Sequence, residues 1–275
     1  KKHFIQCRLA PRIQKLGLPG FDHYVALITS DRDEGEFQVA VDLLTTNETY
    51  FFREPEHFEI IAGHARRLKS RSFSVWSAAS SFGDEAYSIA MLLAELQTQG
   101  HVGADWSILG TDISDRVLRA AVEAVFPQER LLRVPPAYVR RHCLRGEGED
   151  AGLVQIHPRL RAHVRFGQMN LCEPVEDIGM FDVVMLRNVL IYFDDDTKAA
   201  VLNNVLSRLK PGGLLFIGMA EGRLSHQMPV EPVGPESGWV DDDDDRAVAG
   251  GCVTTLHELP WRVGIRQKGT EQAHG

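Results

Sequence analysis

Hydrophobic positions in this chain follow two periods that take turns. Short, mostly apolar runs at 73–76, 106–114, 164–171, 181–186 and 214–219 have the length and density of buried strands. Between several of them the spacing changes to that of a helix. Tyr87, Ile89, Ala90, Leu92 and Leu93 follow the first run, 117–125 the second, and 197–209 lies between the last two. Strand and helix in alternation predict a parallel α/β sheet, with any ligand at the carboxyl ends of its strands.

Two regions depart from this rhythm. Residues 1–46 are helical in pattern, with Tyr24, Leu27 and Ile28, then Phe37, Val41 and Leu44 at helix spacing around a charged break at 31–36. A second amphipathic helix is expected over 57–69, its basic end being Arg66, Arg67, Lys69 and Arg71. Residues 127–165 hold Pro127, Pro135 and Pro136, then the turn Arg145-Gly146-Glu147-Gly148-Glu149-Asp150 between apolar flanks at 138–144 and 153–156. That pattern predicts a small antiparallel insert. Lys210-Pro211-Gly212-Gly213 is expected to stop the last helix. Beyond Arg223 the periodicity fades. The acidic run 241–245 is read as solvated, and 253–256 is expected to pair with 261–265 as a closing hairpin.

Composition narrows the function classes. Apolar content of 44% is that of a soluble globular protein, and no apolar run has the length of a membrane span. The net charge is −8; residues 224–275 hold nine acids and four bases, so the tail supplies −5 and the rest −3. No basic stripe appears, so nucleic acid is not an expected partner. The four cysteines, Cys7, Cys143, Cys172 and Cys252, are dispersed, which suits a reducing cytoplasm and neither zinc nor disulfides. The chain begins at Lys1 without Met, as an excerpt of a longer product would; a monomer is expected.

The candidate chemistry lies at strand ends. The junction FSVWSAASSFGDEAYSIAMLL, 73–93, is strand, small-residue turn and helix start. A dinucleotide site would place pyrophosphate behind G-x-G-x-x-G on a bare helix N-terminus. Here only Gly83 is present, and Asp84 and Glu85 stand where phosphates would go. They would repel a pyrophosphate and attract an ammonium or sulfonium; the plainer alternative is that they complement the helix dipole. Asp112, at the end of the second strand, is placed to accept ribose hydroxyls, or else caps the next helix, as Ser114 also could. TTNETYFFR, 45–53, puts an Arg directly after adjacent aromatics, and Arg is suited to bidentate anchoring of a carboxylate. The plainer reading makes Thr46 or Asn47 a helix cap.

The stretches TTNETYFFR and RNVLIYF (187–193), with Glu85, Asp112 and Asn170, closely resemble the CheR-type chemoreceptor glutamate methyltransferases from about residue 41 to 224. The resemblance implies a class I methyltransferase (Rossmann-like) α/β sheet with a small helical N-terminal element and an inserted antiparallel β-subdomain. The implied divisions are 1–55 for the helical element, 56–224 for the cofactor domain with its insert at about 127–165, and 225–275 for an atypical acidic tail. It implies S-adenosylmethionine as cofactor and glutamate side chains of a chemoreceptor cytoplasmic domain as substrate. Asn47, Thr49, Arg53, Glu85, Asp112, Asn170, Leu171, Arg187 and Asn188 are implied cofactor contacts, with Glu85 on the methionine ammonium and Asp112 on ribose. Arg53 and Tyr192 are implied at the transfer step, and Gly146 and Gly148 in docking of a receptor's C-terminal tail peptide. Where the family has G-E-E-P-Y-S this chain has Gly83-Asp84-Glu85-Ala86-Tyr87-Ser88, and Phe82 replaces a small polar residue, which would crowd the cofactor. The rival readings are a methyltransferase for another carboxylate or protein, a weakly catalytic cofactor-binding scaffold, and a nicotinamide dehydrogenase, against which the phosphate loop argues.

Overall fold

The computed structural model describes residues 2–30, 35–68, 72–221, 230–232 and 253–256. The acidic run 241–245, the segment 261–265, Lys69 and Arg71 lie outside these. Three helices open the chain, α1 (Lys2–Lys15), α2 (Phe21–Ile28) and α3 (Glu36–Leu44), around a small core of Leu9, Ile13, Tyr24 and Ala40. Helix α4 (Pro55–Leu68) begins with a proline at its first position, where a missing N–H costs nothing.

The main sheet contains β1 (Ser72–Ala78), β2 (Asp105–Asp112), β6 (Val164–Gln168), β7 (Phe181–Leu186), β8 (Leu209–Ile217), β9 (Val230–Pro232) and β10 (Val253–Leu256), in the order β6-β2-β1-β7-β8-β10-β9. The first five run parallel, and β10 is antiparallel to both β8 and β9. Connecting helices are α5 (Asp84–Thr98), α6 (Asp115–Glu123) and α9 (Asp195–Leu206). From β1 the chain winds one way to β2 and β6, then returns to β7 and β8 on the other side. The direction therefore reverses between β1 and β7, and the crevice at their carboxyl ends is where such sheets bind ligands. This is the expected Rossmann-like α/β sheet.

Alternation along each strand builds both layers. Phe73, Val75, Ile108, Val183, Met185, Leu214 and Phe216 pack with α4 and α5 on one face. Trp76, Ala78, Val184, Leu186, Leu215 and Ile217 pack with α9 on the other. A strand buried on both faces reads as an unbroken apolar run, which is why 181–186 is legible residue for residue.

The insert is a three-stranded antiparallel sheet, β3-β5-β4, of β3 (Val125–Pro127), β4 (Cys143–Arg145) and β5 (Leu153–Ile156). It also carries α7 (Pro136–His142), followed after β5 by α8 (Pro158–Arg161). Three expectations change. Residues 138–142 are the end of α7, not strand, because Pro136 starts a helix two residues earlier. Lys210-Pro211-Gly212-Gly213 lies inside β8, where the pairing with β7 shifts register, so these residues form an irregular strand start instead of a helix stop. Residues 253–256, expected in a hairpin with 261–265, pair with β8 and β9, and 261–265 lie outside the described residues.

Candidate functional site

Four connections meet at the carboxyl ends of β1, β2, β7 and β8, and those after β1 and β7, with the loop that leads into α4, are held by backbone that side chains seldom adopt. The non-glycine residues Phe52 (φ 53°), Glu54 (φ 56°), Ala79 (φ 68°), Ser81 (φ 52°) and Asn188 (φ 60°) are all left-handed. Each costs about 1–3 kcal/mol, and such residues persist where the surroundings over-determine them. Gly83 ends the β1 turn at φ 88°, and a Cβ there would stand 3.0 Å from Ala121 Cβ and 3.1 Å from the Phe166 ring, so both backbone and space require glycine.

The structure separates the two acids after Gly83. Asp84 is fully buried and held by Arg130, whose Nη2 donates at 2.8 Å to both carboxylate oxygens and at 3.0 Å to the Thr49 carbonyl. Burial pushes the Asp84 carboxyl above its ordinary range, and Arg130 works against that. The expected attraction of a ligand cation to both acids therefore narrows to Glu85. Glu85 accepts from Ser77 Oγ at 2.6 Å and from Arg187 Nη1 at 2.9 Å. Burial raises the Glu85 carboxyl too, opposed by Arg187 and Ser77. Arg187, itself buried, also donates to the Arg53 carbonyl at 2.5 Å and approaches Glu54 at 3.0 Å.

On the β2 side, Asp112 is buried and orders two turns at once. Its Oδ2 accepts from Ser81 N and its Oδ1 from Ser114 N, each at 2.9 Å. Burial raises this carboxyl as well, against those N–H bonds. Ser114 is the residue before α6, yet its hydroxyl makes no capping bond; the capping alternative for Asp112 survives only as the bond to Ser114 N. Asn47 joins the same region. Its carbonyl accepts from Ser81 Oγ at 3.2 Å and its Oδ1 from Arg116 Nη2 at 3.2 Å, and it caps no helix. Phe82, expected to crowd a ligand, has the guanidinium groups of Arg116 and Arg130 over its ring, 5.4 and 5.3 Å from the ring centre.

The remaining candidates are placed as follows. Asn170 lies beyond the end of β6, its amide held by Glu173 at 3.0 Å and Cys172 N at 3.1 Å. Leu171 is buried beneath it. Asn188 turns away from β7 as Glu221 accepts from its N–H at 2.9 Å, with Gly218 so close that a Cβ would meet Asn188 Nδ2 at 2.6 Å. Arg53 donates to the Glu48 carbonyl at 3.0 Å and packs on Tyr50. Tyr192 is half-exposed in the 3₁₀ turn after β7. In the insert, Gly146 abuts its own turn, since a Cβ would fall 2.2 Å from the Asp150 carbonyl oxygen, whereas Gly148 faces open space in the turn that follows the edge strand β4.

Glu54, Ser77, Arg130 and Glu221 escaped sequence reasoning. Glu54 had a signal, an acid directly after the TTNETYFFR arginine. Arg130 had none, because its partner is 46 residues away. The donor set fits a ligand with a cation at one end and vicinal hydroxyls at the other. Glu85 uses one acceptor position per oxygen, Asp112 accepts from the backbone of Ser81, Ser114 and Ile113, and both retain further acceptor positions; the buried Ser80 and Ser114 hydroxyls have no partner among the described residues.

The family described as CheR methyltransferase, SAM binding domain, matches residues 47–235, and CheR methyltransferase, all-alpha domain, matches 1–45. The chain is similar to the chemotaxis protein methyltransferase of Escherichia coli (strain K12), 41% identical over 222 residues, 80% of this chain and 77% of that protein. Its likeness to the chemotaxis protein methyltransferase of Salmonella typhimurium is 38% over 222 residues, covering 80% and 76%. Chemotaxis protein methyltransferase 2 of Pseudomonas aeruginosa is 39% identical over 237 residues, covering 85% and 83%.

Proposed function

Because this chain belongs to the CheR methyltransferase family, with S-adenosylmethionine as its cofactor, we propose that it methylates glutamate side chains on the cytoplasmic domain of a chemoreceptor. The observation that carries the reading is the junction itself. Glu85, Arg187 and the Arg53 backbone are one hydrogen-bonded unit at the β1–β7 switch point, and half-exposed Tyr192 follows β7. In this reading residues 56–224, with the TTNETYFFR stretch directly before them, carry the transfer chemistry. Glu85 would hold the cofactor's ammonium, Asp112 its ribose hydroxyls, Asn170 and Leu171 its adenine side, and Asn47, Thr49, Arg187 and Asn188 the walls and floor.

The cofactor supplies a methyl group on a cationic sulfur. A glutamate carboxylate is already a nucleophile at neutral pH, so the site needs no general base. Its work is to hold the oxygen in line and exclude water. Arg53 would anchor the incoming carboxylate and Tyr192 orient the attacking oxygen. Gly148, in the turn after the insert's edge strand, would let an extended receptor tail add alongside β4, raising the local concentration of receptor glutamates; Gly146 would shape that turn. Among the described residues no helix is long and apolar enough to cross a membrane.

The test is methyl transfer to a purified receptor cytoplasmic fragment and to the same fragment with its acceptor glutamates changed to glutamine. The proposal expects labelling of the first alone. Equal labelling of both, or of unrelated proteins, contradicts it.

A further inference from the structure

Arg187 is shared between two carboxylates. Its Nη1 donates to Glu85 at 2.9 Å, while its Nε and Nη2 face one oxygen of Glu54 at 3.2 and 3.0 Å. Only 2% of the Arg187 side chain is exposed, 11% of Glu54 and 13% of Glu85. Glu54 is aimed there by left-handed backbone directly after Arg53, and its other neighbours are His57 Nδ1 at 3.4 Å and Met219 N at 3.5 Å. With both carboxylates ionised and His57 neutral, two anions on one buried cation leave the fork with a net charge of −1.

A single Glu85–Arg187 pair would be neutral and would offer little to a cationic ligand. With Glu54 balancing Arg187, Glu85 keeps its charge. We propose that Glu54 is a positioning residue for cofactor charge: by neutralising Arg187 it leaves Glu85 free to receive the ammonium, and it biases the site toward the cationic cofactor over the neutral product. S-adenosylmethionine carries a net +1, from ammonium, sulfonium and carboxylate, and S-adenosylhomocysteine carries none. 5′-Methylthioadenosine lacks both the ammonium and the sulfonium. The three ligands therefore grade the effect by charge.

The inference rests on Glu85 holding the ammonium, and calorimetry separates the two ideas. Glu54→Gln keeps an acceptor for Arg187 and removes the charge. It should weaken S-adenosylmethionine about tenfold and S-adenosylhomocysteine about threefold, leaving 5′-methylthioadenosine within about twofold. Glu54→Asp keeps the charge and should keep the parent's preference between the first two ligands. Equal weakening of all three ligands in Glu54→Gln, or loss of the preference in Glu54→Asp, overturns the proposal, as does no change in Glu54→Gln. Glu85→Gln identifies which idea fails. If it weakens the two ammonium-bearing ligands while Glu54→Gln does not, Glu54 alone is misassigned; if it weakens neither, the ammonium reading falls and the inference with it.

Discussion

Arg130→Met should destabilise the fold through Asp84, and the loss should depend on pH in a particular direction. Asp84 is fully buried, and Arg130 is the cation that binds it, with 29% of the arginine side chain exposed. Removing one partner of a buried pair costs about 3–5 kcal/mol, because the other charge stays behind. Partial exposure of Arg130 places the expected cost near the lower end, about 3 kcal/mol. At roughly 2–4 °C per kcal/mol, the melting temperature should fall by about 6–12 °C.

The sign of the pH dependence follows from Asp84. Its folded carboxyl titrates above the ordinary value of 3.8, chiefly through burial, and losing Arg130 raises it further. A group with a raised folded pKa favours folding below its unfolded pKa, and that contribution is lost as pH rises through the folded pKa. The deficit of Arg130→Met should thus be smallest at acid pH, where a neutral Asp84 needs no cation, and grow toward neutrality. Urea denaturation of parent and variant across that range measures it. Asp84→Asn added to Arg130→Met should recover at least about half the loss. A deficit under about 1 kcal/mol at neutral pH, a deficit independent of pH, or no rescue would refute the reasoning.

Four further outcomes are expected. Asp112→Ala should weaken S-adenosylmethionine binding by two charge-assisted bonds of roughly 1.5–3 kcal/mol each, and unchanged affinity in the folded variant would remove Asp112 from the site. Tyr192→Phe should lower turnover with cofactor affinity nearly intact; parental turnover would make Tyr192 only a wall. Cofactor affinity should decline as pH falls through the raised pKa of Glu85, beginning above the ordinary value of 4.5, and Glu85→Gln should flatten that profile. Gly148→Val should abolish binding of a receptor tail peptide and leave methylation of a tail-less fragment unchanged; an equal effect on both substrates would make the turn structural.

Legibility in the sequence followed the range of the interaction. Strands buried on both faces announced themselves, whereas the reversal between β1 and β7 emerged only from the strand pairing. Glu85 stood out because acids stand where a phosphate loop would leave the helix N-terminus bare, and Asp112 because it ends a strand. What stayed hidden depends on distant partners. Asp84 and Glu85 are adjacent and chemically alike, yet Arg130 takes one and Ser77 and Arg187 take the other. Phe82 was read as an obstruction without sight of Arg116 and Arg130, whose guanidinium groups lie over its ring and come from other elements. The proline and glycines at 210–213 misled because the same residues stop helices and open irregular strands, and only the pairing with β7 decides between them.

The central claim is that the acceptor is a carboxylate, and the chemistry of the product tests it most directly. A receptor cytoplasmic fragment labelled by this protein from radioactive S-adenosylmethionine is treated with mild base, and volatile methanol is counted. A glutamate methyl ester hydrolyses, so the account predicts that the label leaves the protein as methanol. Label that stays on the receptor through base treatment would mark a methylated nitrogen or sulfur and contradict the account.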